Sequence, residues 1–316
     1  MSDSRPPLLA FWSFYPAPTR TALEQHFEVV DFAEIEDQDA FFSEHGARFR
    51  ALATSIVAPT GDEIFSRLPN LEMVASFGVG LEHLDLDAAR ARGLKVSYTP
   101  DVLTDDVADL ALLMMESHAR GLVSGDRFVR AGHWAAGALP LGVRLAGRRL
   151  GILGLGRIGS AIAQRAEARG MHVSYSGPRE KPAHPWPFVA DLEALASSSD
   201  YLVVACNAND DNRYIVSREV LASLGPGGVL VNIARGSLVD EEALVELLNA
   251  EALGGALLDV FEREPRVPTA LFGMDNVILT PHIGSATAQT RAAMGDLMVR
   301  NLLAFFAGEA LPSPVD

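Results

Sequence analysis

The sequence predicts an α/β protein made of two doubly wound parallel sheets. Three observations carry that expectation. The chain has 316 residues, more than one ordinary domain uses. Short apolar runs alternate with amphipathic stretches along both halves, the mark of βαβ units. The runs are apolar almost throughout, as expected for strands covered by helices on both faces.

In the first series the expected strands are LLAFWSF (8–14), EVVDF (28–32), TSIVAP (54–59), MVASF (73–77) and KVSY (95–98). Helical stretches fall between them at 18–26, 37–50, 61–67 and 84–92, with Pro69-Asn70 and Gly93 as turn signals. A long helix follows over 102–121, with Val107, Leu110, Ala111 and Met114 at helical spacing and Thr104 or a neighbouring Asp as its cap. Residues 122–146 read as a short helix and then an irregular segment, HWAAGALPLGVRLAG, which needs something to pack against, such as a second subunit. The second series has strands at 149–154, 172–176, 201–206, 228–233, 254–260 and 276–281, and helices at 157–169, 191–197, 217–223 and 240–251. A last helix spans about 285–308, and periodicity alone leaves open which domain it joins.

Composition narrows the function. With 26 Lys+Arg against 41 Asp+Glu the formal charge is −15, unsuited to neutralising nucleic-acid phosphates. The single cysteine, Cys206, excludes an internal disulfide and any multi-cysteine metal site, and no metal is expected. No apolar run approaches the ~20 residues of a membrane span, and the N-terminus lacks a signal-peptide pattern, so a soluble cytoplasmic protein is expected.

Gly154-Leu155-Gly156-Arg157-Ile158-Gly159 fits G-x-G-x-x-G. The motif gains weight from context, because it follows the strand RLGIL and opens the helix RIGSAIAQRAEARG. Gly154 permits the tight turn, Gly156 lets backbone approach a pyrophosphate, and Gly159 lets helix and strand pack closely. The helix N-terminus then offers free N–H groups to the phosphates. This predicts a Rossmann dinucleotide site. The next strand ends at Ser176 without the acid that would accept from a ribose 2′-OH, and Arg179 and Lys181 follow. A hydroxyl and two cations suit a 2′-phosphate, so NADP(H) is expected over NAD(H), with NAD(H) still possible.

Three polar residues flank expected strand ends: Arg235 after GVLVNIA, Glu264 after ALLDVFER, and His282 after VILTP. Ligands of such sheets bind at strand carboxyl ends, so the three would meet in one crevice. Arg is a bidentate clamp for a carboxylate, His a proton donor to a carbonyl, and a carboxylate beside the His orients and charges it. Each taken alone also has an ordinary structural reading. Cys206 reads as a packed strand residue rather than a nucleophile.

VNIARGSLVDEEAL (231–244), ALLDVFEREP (256–265) and LTPHIGSAT (279–287) resemble the signature blocks of the D-isomer-specific 2-hydroxyacid dehydrogenases, and ASFGVGLEHLD (75–85) and TPDVLTDDVADLAL (99–112) resemble further blocks. LAGRRLGILGLGRIG and YSGPREKP are similar to the NADPH-using hydroxypyruvate/glyoxylate and hydroxyphenylpyruvate reductase branch. The resemblance implies a Rossmann NAD(P) domain at 100–285 inserted in a flavodoxin-like substrate domain at 1–99 plus 286–316. It implies NADPH-dependent reduction of a small 2-oxoacid to the D-2-hydroxyacid. Arg235 would bind the substrate carboxylate, His282 would be the acid/base with Glu264 as partner, and the N–H groups of Val79 and Gly80 would also hold the carboxylate. Asp259 would bind the nicotinamide amide, Ile233 and Ala234 would line it, and Thr104, Ala205, Cys206 and Gly284 would lie along the cofactor. A homodimer is implied, embraced by residues 100–145, with Trp134 reaching the partner's site. The substrate pocket is expected from Trp12–Pro16, 54–60 and 76–81, plus Trp134. One stretch departs from the family: Asn207–Arg213 stands where relatives have Pro-Leu-Thr-Pro. The alternatives are an NAD-linked dehydrogenase of another 2-hydroxyacid and a dinucleotide-sensing corepressor-like binding protein.

Overall fold

A computed structural model describes residues 5–11, 15–56 and 58–315. The chain divides into two compact units, residues 1–103 with 287–316 and residues 104–286.

The first unit carries one parallel five-stranded sheet. Its strands are β1 (Pro7–Ala10), β2 (Glu28–Asp31), β3 (Ala51–Ser55), β4 (Met73–Phe77) and β5 (Lys95–Ser97), in the order β2-β1-β3-β4-β5. That is the flavodoxin-like order. Helices α1 (Ala17–His26), α2 (Gln38–His45), α3 (Asp62–Ser66) and α4 (Leu86–Ala91) connect the strands. Asp37 and Asp85 cap α2 and α4 by accepting from Ala40 N and Ala88 N. The last helix, Ala288–Ala307, belongs to this unit, with Phe306 against Phe27 at 5.5 Å and Gly295 lying over Thr19. A Cβ at Gly295 would stand 2.0 Å from Thr19 Oγ1, so only glycine allows that approach. Leu9, Phe49, Leu52, Phe65 and Val74 form the core beneath the sheet.

One strand expectation is corrected. The third strand runs over Ala51–Ser55, not 54–59. All five of its residues are buried, and they pair with Met73–Phe77. The alanine-rich ALATS has weak β propensity, whereas the β-branched residues of TSIVAP have more. Two covering neighbour strands decide the matter over propensity. The first strand also stops at Ala10; Trp12, Ser13 and Phe14 lie outside the described residues.

The second unit opens with α5 (Thr104–Ala119) and α6 (Leu122–Arg130). Its strands are β6 (Arg149–Leu153), β7 (His172–Ser176), β8 (Tyr201–Val204), β9 (Val229–Asn232), β10 (Gly255–Leu258) and β11 (Val277–Leu279). All are parallel in the order β7-β6-β8-β9-β10-β11. Helices α7 (Arg157–Ala168), α8 (Leu192–Ser197), α9 (Arg218–Leu224) and α10 (Glu241–Asn249) alternate with them. Strand order reverses about β6, which places the switch point beside β8. The core is Leu153, Leu202, Leu230, Leu244, Leu258 and their neighbours, each buried leucine contributing about 1.5–3 kcal/mol. Asp200, near the start of β8, pairs with Arg149 at 3.0 Å. Among the described residues no helix is long and apolar enough to cross a membrane.

Candidate active site

The site is built at the carboxyl ends of β9, β10 and β11 in the second unit. Asp259, directly after β10, is 1% exposed and organises the neighbouring loop. Its Oδ1 accepts from Thr280 Oγ1 at 2.6 Å and Ile283 N at 2.8 Å, and its Oδ2 from Gly284 N at 2.8 Å. Its carbonyl accepts from His282 N at 2.9 Å. These bonds fold residues 280–284 around one carboxylate. His282 sits at the apex with φ +53°, a left-handed conformation that costs most residues energy but that His tolerates better than most.

The His282 imidazole meets Glu264, with Nδ1 to Oε2 at 2.8 Å. Nδ1 is committed to that carboxylate, which leaves Nε2 as the other ring nitrogen. Glu264 is itself held, because Phe261 N donates to its Oε1 at 3.1 Å. Half-burial works against the charged carboxylate, but His282, the Phe261 N–H and the Arg235 charge outweigh it and hold the Glu264 pKa below the ordinary value.

Arg235 follows β9 and lies near enough for its charge to act on Glu264. Its backbone is pinned by Asn232, 1% exposed, whose amide donates to Arg235 O at 2.9 Å and accepts from Ala234 N at 3.1 Å. Gly236 then passes so close to the segment after β10 that a Cβ would stand 1.9 Å from Phe261 C. That contact binds the arginine turn to the glutamate loop. Ile233 and Ala234 are buried beside them.

The glycine loop after β6 fits a dinucleotide. Gly154 has φ +96°, and a Cβ there would lie 2.6 Å from Cys206 N and Cα. Gly159 comes within 2.1 Å of Gly154 O by the same measure, while the space over Gly156, the N-cap of α7, is open. Leu155 is buried, and Arg157 and Ile158 begin α7, whose N-terminal dipole favours an anion. Burial pushes the Cys206 thiol up to about 11, which is opposite to what a nucleophile needs. Ala205 and Cys206 flank the loop, and Ala205 N donates to Leu153 O at 2.8 Å.

At the end of β7, Ser176 is buried and its hydroxyl donates to Ala190 O at 3.5 Å. Arg179 is exposed just beyond. Lys181 turns back to donate from Nζ to Leu155 O at 2.6 Å, placing its ammonium on the glycine loop. Thr104 begins α5, and Gly284 packs 3.4 Å from Val107 of the same helix by its missing Cβ.

The structure brings Arg235, Asp259, Glu264 and His282 together, and Ser176 and Lys181 to the glycine loop. Val79 and Gly80 belong to the first unit, after β4, where Gly78 N donates to Thr99 Oγ1 at 3.0 Å. Trp134 stands on a single turn, His133–Ala135, and is 70% exposed. Sequence reasoning missed Asn232 and Thr280. Both lie inside the family-like blocks at 231–244 and 279–287, and each is a polar residue at the carboxyl end of an apolar strand.

Residues 112–284 match the family described as D-isomer specific 2-hydroxyacid dehydrogenase, NAD binding domain. A glyoxylate/hydroxypyruvate reductase A of Arabidopsis thaliana is 45% identical over 293 residues, covering 93% of this chain and 94% of that protein. Among solved structures, a 2-hydroxyacid dehydrogenase from Ketogulonicigenium vulgare is 43% identical with a TM-score of 0.93, covering 99% of each chain. An NADPH-dependent glyoxylate/hydroxypyruvate reductase from Sinorhizobium meliloti, in complex with NADP and malonate, is 38% identical with a TM-score of 0.91, covering 99% of this chain and 97% of that one. The match over more than half the chain, the full-length relatives and the folded site agree: this protein belongs to the D-isomer-specific 2-hydroxyacid dehydrogenase family.

Proposed function

We propose that the protein reduces a small 2-oxoacid of the glyoxylate or hydroxypyruvate type to the D-2-hydroxyacid, with NADPH as preferred cofactor. The observation that carries this is the His282–Glu264 pair at 2.8 Å with the Arg235 charge beside it, at the strand ends of a dinucleotide-binding unit. When bound, the nicotinamide supplies the hydride for the keto carbon. His282 releases the Nε2 proton to the oxygen that becomes the hydroxyl, and Glu264 holds Nδ1–H and favours the charged ring until that moment. Arg235 engages the substrate carboxylate with its planar fork and draws charge from the keto oxygen. Asp259 orients the nicotinamide amide. Gly156 takes the pyrophosphate, with Gly154 making the turn beneath it and Gly159 letting the helix pack close.

The NADPH preference is supported by a β7 end without an acid, by Arg179 exposed beyond it and by Lys181 on the glycine loop. The relative from Sinorhizobium meliloti is NADPH-dependent. We read the exposed apolar residues Leu122, Val129, Trp134 and Leu141 as the partner-facing surface of a homodimer, and the protein as cytoplasmic.

The test follows NADPH absorbance with glyoxylate and hydroxypyruvate, repeats it with NADH, and measures solution mass by light scattering. Steady oxidation with a higher kcat/KM for NADPH, from a dimer, is expected. No turnover with any 2-oxoacid removes the activity, and an NADH advantage removes the cofactor assignment.

A further inference from the structure

One residue bridges the two loops that carry the site. Tyr214 lies just beyond Asn207–Arg213, the stretch in which this chain departs from its family's pattern. It has φ +55°, a genuine outlier for a bulky side chain, which persists only where its surroundings enforce it. Both ends of the residue are in use. Its N–H donates to Ser237 O at 2.9 Å, in the turn that follows Arg235. Its phenol donates to Glu262 Oε1, two residues before Glu264.

Arg213 completes the arrangement. Its guanidinium pairs with the same Glu262 carboxylate, donates to the Tyr214 hydroxyl at 2.7 Å and lies 4.4 Å from the centre of the Tyr214 ring. Glu262 is 16% exposed in its side chain, and its N–H donates to Glu241 Oε2 at 3.2 Å. The segment Phe261-Glu262 is therefore fixed by side chain and backbone. Phe261 N is the group that holds Glu264 Oε1 at 3.1 Å. The preceding segment is itself braced: Asn209 and Asn212 cap each other around a single turn, and Asn212 donates to Asn207 O at 2.7 Å.

We propose that Tyr214, with Arg213 and Glu262, is a positioning device for the acid/base pair: it locks the Phe261-Glu262 backbone so that Glu264 is presented to His282. The inference rests on the proposed reductase reading for its kinetic readout. Tyr214 touches neither substrate nor cofactor in this role and acts through Glu264.

Tyr214→Phe keeps the ring and the backbone and removes only the hydroxyl. The expected result is a kcat about tenfold lower, the loss of one hydrogen bond to a charged group. The KM for NADPH and the melting temperature should barely move. In a Glu264→Ala background the same substitution should cost little, because the side chain it serves is already gone. Glu262→Gln keeps an acceptor for the phenol and should retain more activity than Glu262→Leu. Hydrogen exchange at the Phe261 amide should quicken in Tyr214→Phe, a readout that needs no turnover. An equal loss in wild-type and Glu264→Ala backgrounds would reduce Tyr214 to a structural residue. An unchanged kcat, or unchanged exchange at Phe261, overturns the proposal. If the wild type reduces no 2-oxoacid, the reductase reading fails by itself and the exchange experiment still decides the positioning role.

Discussion

Replacing Glu264 by Gln isolates one charge at the heart of the site. The amide preserves an acceptor for His282 Nδ1–H, so the ring keeps its orientation while losing the attraction that favours its cationic form. Two unit charges about 4 Å apart attract by about 1 kcal/mol in water and about 4 kcal/mol at the effective dielectric of a protein surface. The His282 and Glu264 side chains are 34% and 35% exposed, so solvent screening confines the effect to about 1–2.5 kcal/mol. At 1.36 kcal/mol per factor of ten this is a loss of about five- to seventyfold in rate. The assay is kcat/KM for 2-oxoacid reduction from pH 5 to 10. In the proposed reaction the ring gives its proton to the substrate, so the loss should appear wherever Glu264 is charged in the wild type. The acid side follows from the lowered Glu264 pKa. A depressed carboxylate contributes above its ordinary range and loses its contribution as pH falls through the depressed value. The wild-type pair is thus intact at neutral pH and fails only in strong acid, a failure the Gln variant lacks. A variant that keeps the wild-type kcat/KM at neutral pH would refute the electrostatic role.

Other outcomes are accessible by the same means. His282→Asn should lower kcat by roughly 10²–10⁴, the usual worth of an acid/base, and near-full activity would remove the residue from the reaction. Arg235→Lys should raise the KM for the 2-oxoacid and lower kcat, because an ammonium cannot reproduce the guanidinium fork; equal kinetics would show that only charge is needed there. Arg179→Ala should raise the KM for NADPH about tenfold, the loss of one charge-assisted contact, and leave that for NADH unchanged; equal effects on both would argue against 2′-phosphate recognition. Gly236→Ala forces a Cβ into Phe261 and should lower the melting temperature and kcat together, whereas a neutral result would mean that the two loops separate easily.

Much of this protein is legible in its residues, and the illegible parts share a cause. The glycine loop is read directly, because strand, turn and helix are contiguous and each glycine answers a local steric demand. Arg235, Glu264 and His282 stand at strand ends that periodicity locates. By contrast, β3 is decided by pairing with β4 and β1, which lie apart from it in sequence, and its alanines give no local hint. Asn232 and Thr280 look like lapses in apolar runs until their partners, Arg235 O and Asp259, are seen beside them. The bridge from Arg213 and Tyr214 to Glu262 spans almost fifty residues, and no spacing rule links those positions. What local sterics dictate is visible in the chain, and what tertiary closure dictates is not.

The left-handed backbone at position 282 has a consequence for how the enzyme could change. Few residues occupy that conformation cheaply: glycine, asparagine, aspartate and histidine. Of these only histidine exchanges a proton near neutrality in its unperturbed state. The turn around Asp259 therefore filters candidates for the proposed proton donor before any chemistry is selected. Lysine, tyrosine or cysteine, each a serviceable acid in other settings, would first have to strain the loop. A lineage or a designer seeking a different acid must rebuild residues 280–284 and their anchor together. The turn makes the identity of the acid a property of the fold.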